Sequence, residues 1–406
     1  MKRPWRSPTV RSVAVLGLSG LGFAIANLLL ARVLPTAEYA LLTLVVALVN
    51  VGYPLAPAGV DGIVNRRQLE AGPRLLQRTM ATIVPVGLLF AVIGLVGYRT
   101  SFDIALMILG STMAGGALLV AAGQFQSEQR FGLSLALNQS PNLILLVAAL
   151  AVVLAGTHDA TTPLVIWTAG FGLTAAAGWW LLFGERHAKE ARSVEFPWGE
   201  AVSIAGLAAA GLVLIQLERL LIPYLLPLED LATYGVLAAI VGSLFRVLQM
   251  GVGYSLLPRL RAAPDVAARR RLIGKEIRLV LVLVLLGSAV AWIATPLLER
   301  WFLDGKYQLS SALVLAAVVT GVAKILNGFA QSTVSALADA RELSLVSLLG
   351  WVAVAIAVPA AAAGARWGLP GVIYGVGLGW LVRAVVALYL TARHLRLPAA
   401  AAPVTP

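Results

Sequence analysis

Long apolar stretches separated by short polar connectors run the whole length of the chain. Twelve of them approach or exceed the roughly 20 residues that an α-helix needs to cross the hydrocarbon core of a bilayer. They fall at about 9–33, 39–64, 78–98, 103–126, 131–156, 163–184, 200–226, 231–257, 277–298, 310–337, 343–364 and 370–392. Such sustained apolarity identifies membrane helices rather than the one-sided stripe of a soluble surface helix. The pattern predicts an all-α polytopic membrane protein with almost no part outside the bilayer.

Composition agrees with the pattern. Hydrophobic residues make up 59% of the 406-residue chain, charged residues 12%, and the mean hydropathy is +0.88. Soluble domains average about 25% charged. The net charge of +12 would suggest a nucleic-acid partner in a soluble protein. Here its placement matters more. Most basic residues outside the spans lie on the side that bears both termini, and only Arg32, Arg99, Arg300, Lys306 and Arg366 lie on the other. Basic loops are retained in the cytoplasm, so both termini are expected there, in an inner membrane. Retention and contact with anionic membrane lipid account for the basic runs at Arg66 to Arg78 and Arg259 to Arg278. No aromatic platform accompanies them, and no nucleic-acid partner is expected. Lys2 and Arg3 precede a run too long for a signal peptide, which reads as a retained first span.

The chain divides into halves. Six spans precede the polar connector ERHAKEARSVEFPW and six follow it, which predicts an N-terminal lobe over 1–190 and a C-terminal lobe over 191–406. Short echoes relate the two. Tyr39 and Tyr234 each open a span after a proline and an acid, 195 residues apart, and Arg66 and Arg261 share that offset. Pro163, Gly170 and Gly172 correspond to Pro370, Gly377 and Gly379 at an offset of 207. A duplication with six spans per repeat keeps both lobes in one orientation. It therefore predicts a pseudo-twofold axis along the membrane normal, the symmetry of alternating-access transporters.

Ionisable residues inside the spans are the sharpest chemical clue. Arg219, Arg246, Lys324 and Arg383 all fall in the second half, with Glu218 beside the first and Asp61 near the inner end of span two. Each costs about 2.5–3.5 kcal/mol to insert unless it faces protein or water. Helical spacing places Lys324, Asn327 and Gln331 on one face, Arg246 with Gln249 on another, and Gln216 with Arg219 on a third. Thr43, Asn50, Pro54, Pro57 and Asp61 form a polar, kink-prone stripe on span two. Such stripes would line a hydrated passage. Structural roles compete with this reading. Arg219 could neutralise Glu218 or snorkel, Arg383 could snorkel to the cytoplasm, and Asp61 could cap a helix end or pair with Arg66. Asn138 and Asn142 suit interhelical hydrogen bonds, and the GxxxG steps at Gly371, Gly375 and Gly379 suit close helix packing. There is no cysteine, phosphate-binding loop, zinc-protease motif or nucleophile elbow. No catalytic residue, metal or cofactor is expected, and the chain is not expected to be an enzyme.

The segment ARVLPTAEYALLTLVVALVNVGYPLAPAGVDGIVNRR resembles the opening helices of the polysaccharide-biosynthesis flippases, the Wzx or O-antigen transporter family. LERLLIPYLLPLEDLATYGVLAAIV with SLLPRLR resembles that family's seventh and eighth helices, and QSEQRF and ALADARE resemble its inner-loop phrases. The family belongs with the multidrug and toxin extruders and the peptidoglycan-precursor flippases. The resemblance implies two six-helix lobes and an isoprenoid-diphosphate-linked sugar as cargo. One departure is the first helix, whose interior lacks arginine while Arg11 and Arg32 sit at its ends. This points away from the peptidoglycan precursor.

Chemistry leads the same way, since arginine and lysine in a partly dehydrated passage hold a diphosphate. The expectation is a flippase for lipid-linked oligosaccharide, serving a glycan polymerase or export machinery. Arg246 and Lys324 would hold the diphosphate, with Arg219 and Arg383 as secondary ligands. Asn50, Gln249, Asn327 and Gln331 would line the glycan passage, and Asp61 or Glu218 would couple an ion. Two rivals are a cation-coupled drug exporter that depends on Asp61 and Glu218, and a non-transporting scaffold that depends on loops 184–199 or 258–278. A membrane-embedded glycosyltransferase is disfavoured for want of an acidic pair on a sizeable loop.

Overall fold

The computed structural model describes residues 8–67, 69, 72–184, 196–246, 248, 260, 263, 265–337 and 340–396. The expected boundary at 190/191, both chain ends and Gln249 lie outside the described residues. The helices are α1 (Pro8–Val33), α2 (Thr36–Leu55), α3 (Val60–Arg67), α4 (Pro73–Val92), α5 (Phe102–Ser127), α6 (Phe131–Ala155) and α7 (Thr161–Gly184). They continue with α8 (Trp198–Leu225), α9 (Leu228–Leu237), α10 (Val266–Trp301), α11 (Ser311–Leu337), α12 (Ala340–Gly364) and α13 (Gly368–Arg396). Single π turns extend α4 over Ile93–Gly97 and α9 over Ala238–Gly242. The described residues hold ten stretches long and apolar enough to cross a membrane, the last of which, Leu345–Leu395, runs through both α12 and α13. With the shorter apolar helix Gly17–Val33, every expected span has a helix.

Sequence punctuation fixes the ends and bends. Ser101 caps α5 by accepting from the Ile104 N–H, and Asp265 caps α10 by accepting from Ala268 at 2.6 Å. Gly156, at φ 64°, closes α6 in the left-handed conformation that glycine adopts without strain. Pro141 removes the N–H that would bond the Leu137 carbonyl, and the Ser140 hydroxyl donates there instead at 2.8 Å. Span two is broken rather than merely kinked. α2 stops at Leu55, and the chain turns through Ala58 (φ 50°) and Gly59 (φ 84°) before α3.

Contacts divide the chain into two compact units, Met1–Val236 and Leu237–Pro406. The division falls inside the helix that starts at Leu228, directly before its π turn. Unit 1 therefore contains α8, packed along α2 and α3, as well as the first six spans. Its sixth-span helix, α7, packs on α5 and α6; in unit 2 the last helix, α13, packs on α11 and α12. The fourth and fifth spans of each half thus embrace the sixth in both, as the duplication predicts. Gly371 and Gly375 let α13 touch the backbone of α12: a Cβ on Gly375 would stand 2.4 Å from the Ala361 nitrogen. In unit 1, Asn142 of α6 donates to Ser19 of α1 at 2.8 Å, the interhelical bond expected of a membrane asparagine.

Candidate functional site

Among the described residues, contacts gather polar and ionisable side chains of the spans into one group in each unit. The first is built by α2, α8 and α9. Arg219 of α8 donates to Gln216 one turn earlier at 2.7 Å, and its guanidinium lies 5.9 Å from the ring centroid of Tyr234. The Tyr234 hydroxyl hydrogen-bonds Glu218, so the tyrosine links the acid and the base of this pair. Glu218 is 1% exposed and Gln216 4%. α9 reaches α2 through Gly235, where a Cβ would stand 2.7 Å from Thr43 Oγ1 and 3.2 Å from the Tyr39 hydroxyl. The echoed tyrosines Tyr39 and Tyr234 are both buried here, each opening its own span. An amide and an aromatic face stand by this cation, with a buried carboxylate one residue before it, while Arg219 Nε and Thr43 Oγ1 are themselves buried atoms with no hydrogen-bond partner among the described residues.

The second group lies on α11 and α13, which pack closely in unit 2. Thr320 of α11 donates to the Ile373 carbonyl of α13, which fixes their register. One turn on, Lys324 Nζ lies 5.7 Å from the ring centroid of Trp380, within cation–π range. Arg383, one helical turn beyond Trp380, is 9% exposed and does not snorkel to water. Among the described residues, Arg383 Nε, Trp380 Nε1, Asn327 Oδ1 and Gln331 Oε1 are buried atoms with no hydrogen-bond partner. Buried polar groups are normally satisfied, so each such atom calls for a ligand or water. Neither helix contains an aspartate or glutamate. Two cations and an indole N–H form a donor set for an anion, and the two amide oxygens accept from hydroxyls.

The structure joins some of the residues that spacing singled out and parts others. Lys324, Asn327 and Gln331 do share α11 with the α13 helix of Arg383 beside them. Arg219 meets Gln216 and the Tyr234 ring in unit 1, whereas Lys324 belongs to unit 2. Arg246 is exposed and follows the π turn of α9, while its expected partner Gln249 lies outside the described residues. The stripe on span two does not persist. Asn50 is half-buried on α2, whereas the break at Ala56–Gly59 takes Asp61 onto α3 and out of its register. Arg66 meets Glu200 of α8 at 2.9 Å rather than Asp61, and Arg67 joins the same carboxylate. Trp380 escaped the sequence reading. Its position three residues before Arg383, on the same helix face, was the available signal.

The class that this fold defines is a polytopic all-helical membrane protein with a MATE-like fold. The chain is similar to a multidrug resistance MATE family transporter of the MOP superfamily in its inward-facing conformation, with TM-score 0.68 and 12% identity over 94% of this chain and 96% of that one. It is similar to the lipid II flippase MurJ in an inward closed conformation, with TM-score 0.66 and 10% identity over 94% of this chain and 87% of that one. The Vibrio cholerae MATE transporter VcmN in its bent form matches with TM-score 0.54 and 17% identity over 95% and 98% of the two chains. No protein-family model and no curated protein sequence matches the chain.

Proposed function

We propose that the chain is an inner-membrane flippase, with both termini cytoplasmic, that carries an isoprenoid-diphosphate-linked oligosaccharide across the bilayer by alternating access. The observation that carries this reading is the cation-bearing, acid-free pair α11 and α13. Positive charge, buried at Arg383 and half-buried at Lys324, without a carboxylate on either helix favours an anionic cargo and repels a cationic one. Lys324 and Arg383 hold the diphosphate, and Asn327 and Gln331 accept hydroxyls of the adjoining sugars. Arg246, exposed in the same unit, offers a further cation to that cargo. The glycan then passes to a polymerase or export machinery.

A second reading is a cation-coupled multidrug exporter, favoured by the likeness to MATE transporters. It makes Glu218 and Asp61 essential and the α11–α13 cations dispensable. The test is glycan export in cells whose own gene is deleted and replaced. Export restored by wild type and not by Lys324→Ala/Arg383→Ala, at equal membrane abundance, supports the flippase. Export unchanged by the deletion, with drug efflux lost in Glu218→Gln, supports the exporter.

A further inference from the structure

α10 carries an exposed track that neither group of buried charges explains. Arg271, Lys275 and Arg278 recur at helical spacing on one face of its first turns, and all three are exposed. The same face continues through Val282, Leu285, Ala289 and Ile293, exposed at every position, with Leu285 69% and Ile293 62% exposed. The opposite face is the packed one: Ile273, Glu276, Val280, Gly287, Ala291 and Thr295 are buried there. The helix thus turns its only local carboxylate, Glu276, away from the three cations.

The cations lie at the membrane edge on the side of the basic loops. Arg271 to Arg278 spans about 10 Å of helix axis, and Val282 to Ile293 about 17 Å, close to the depth of one leaflet. Gly274 sits within the cationic patch, and a Cβ there would meet nothing within 4 Å. The patch therefore has open space over it. Its neighbour Arg270 is committed elsewhere, donating to the Leu395 carbonyl and tying the start of α10 to the end of α13. A cationic patch that runs directly into a one-leaflet apolar face matches a lipid with an anionic head. Three cations match a diphosphate, which carries more charge than the single phosphodiester of an ordinary phospholipid.

We infer that this face of α10 is the docking track for an isoprenoid-diphosphate lipid, with the diphosphate over Arg271, Gly274, Lys275 and Arg278 and the isoprenoid along Val282 to Ile293. The choice of lipid rests on the flippase reading; the track itself rests on α10 alone. Docking there gathers the carrier lipid before any passage through the protein.

The test uses the full chain in nanodiscs of zwitterionic phosphatidylcholine, with a fluorescent long-chain polyprenyl diphosphate as probe. Wild type is compared with the Arg271→Gln/Lys275→Gln/Arg278→Gln variant, and with Gly274→Glu, which keeps every cation. The triple variant is expected to bind about a hundredfold more weakly, because each basic residue near an anionic head contributes roughly a factor of five. Gly274→Glu is expected to weaken binding by at least about tenfold, through charge and lost space. Polyprenol without phosphate and inorganic pyrophosphate are expected to compete poorly, each offering half of the ligand. Equal binding by all three proteins overturns the track. So does phosphatidylglycerol competing as well as the probe, which makes the patch a general anionic-lipid surface. A wild type that binds the probe but moves no lipid-linked glycan leaves the track standing and sinks the flippase reading. Normal glycan transport with undiminished probe binding in both variants sinks the track alone.

Discussion

Arg219 in unit 1 and Arg383 in unit 2 are both arginines within membrane helices and both hold a buried Nε with no hydrogen-bond partner among the described residues, but they differ in whether an acid stands on their helices. Around Arg219 the protein supplies Gln216 at 2.7 Å, the Tyr234 ring and the buried carboxylate of Glu218. The helix of Arg383 also carries the Trp380 indole and packs on the lysine-bearing α11, whose Asn327 Oδ1 and Gln331 Oε1 lack hydrogen-bond partners among the described residues, with no acid on α11 or α13. A charge that is balanced in place serves the fold, because its cost is offset by the partners that pin it. A charge with no acid on its own or its neighbouring helix adds cost to the fold, and on the proposed reading it is retained for an anionic cargo. Under the proposed function, the comparison separates a structural cation from a ligand-binding one.

The largest expected effect breaks the second site. Lys324→Met/Arg383→Met removes both cations while keeping side-chain length, and should abolish transport of a lipid-linked glycan. Taking charge out of membrane helices relieves up to about 2–3 kcal/mol per residue on insertion scales, so thermal stability in detergent should hold or rise. A variant that loses abundance and Tm together would place these cations with Arg219. The reciprocal change, Glu218→Gln, leaves Arg219 and Tyr234 without their acid. Breaking such a buried arrangement costs about 3 kcal/mol, which should appear as a lower Tm and lower membrane abundance.

A third variant sharpens the comparison by transplantation. At the offset of 207, Trp380 and Arg383 correspond to Leu173 and Ala176 of α7, both of which are exposed. Leu173→Trp/Ala176→Arg should destabilise the protein by about 3 kcal/mol, since the new arginine would face lipid. Unchanged stability would mean that α7 has a hydrated side like that proposed for α13.

The smallest effect lies outside the spans. Asp159 accepts from the Thr162 N–H at 2.7 Å, and that bond holds its carboxyl below the ordinary aspartate range. Its contribution is complete above the unfolded aspartate's pKa and is lost as pH falls through the lower folded value. Asp159→Ala should therefore cost about 1 kcal/mol at neutral pH and nothing in strong acid, measured as Tm against pH.

Much of the fold was legible because membrane helices obey a severe rule: every backbone polar group must be satisfied within the segment, and only long apolar runs comply. That rule marked the spans, and proline and glycine marked the echo between α7 and α13. It could not mark the unit division at Val236/Leu237, which depends on α8 packing with α2 rather than on any connector. It also could not show that span two breaks at Gly59. There a Cβ would strike the Ala201 carbonyl at 1.9 Å, so the turn comes from tertiary fit as much as from local sequence. At the site, spacing joined Lys324 to Asn327 and Gln331 because they share one helix. Trp380 lies on a different helix, and the register of α11 against α13 is set by Thr320 and Gly377 in three dimensions.

Reconstitution tests the central claim most directly. Vesicles carrying wild-type protein or Lys324→Met/Arg383→Met are loaded with a fluorescent lipid-linked oligosaccharide, and its movement between leaflets is followed by quenching from outside. The predicted result is movement with wild type and none above empty vesicles with the variant, at equal incorporation. Equal movement by both proteins would contradict a binding role for the α11–α13 cations.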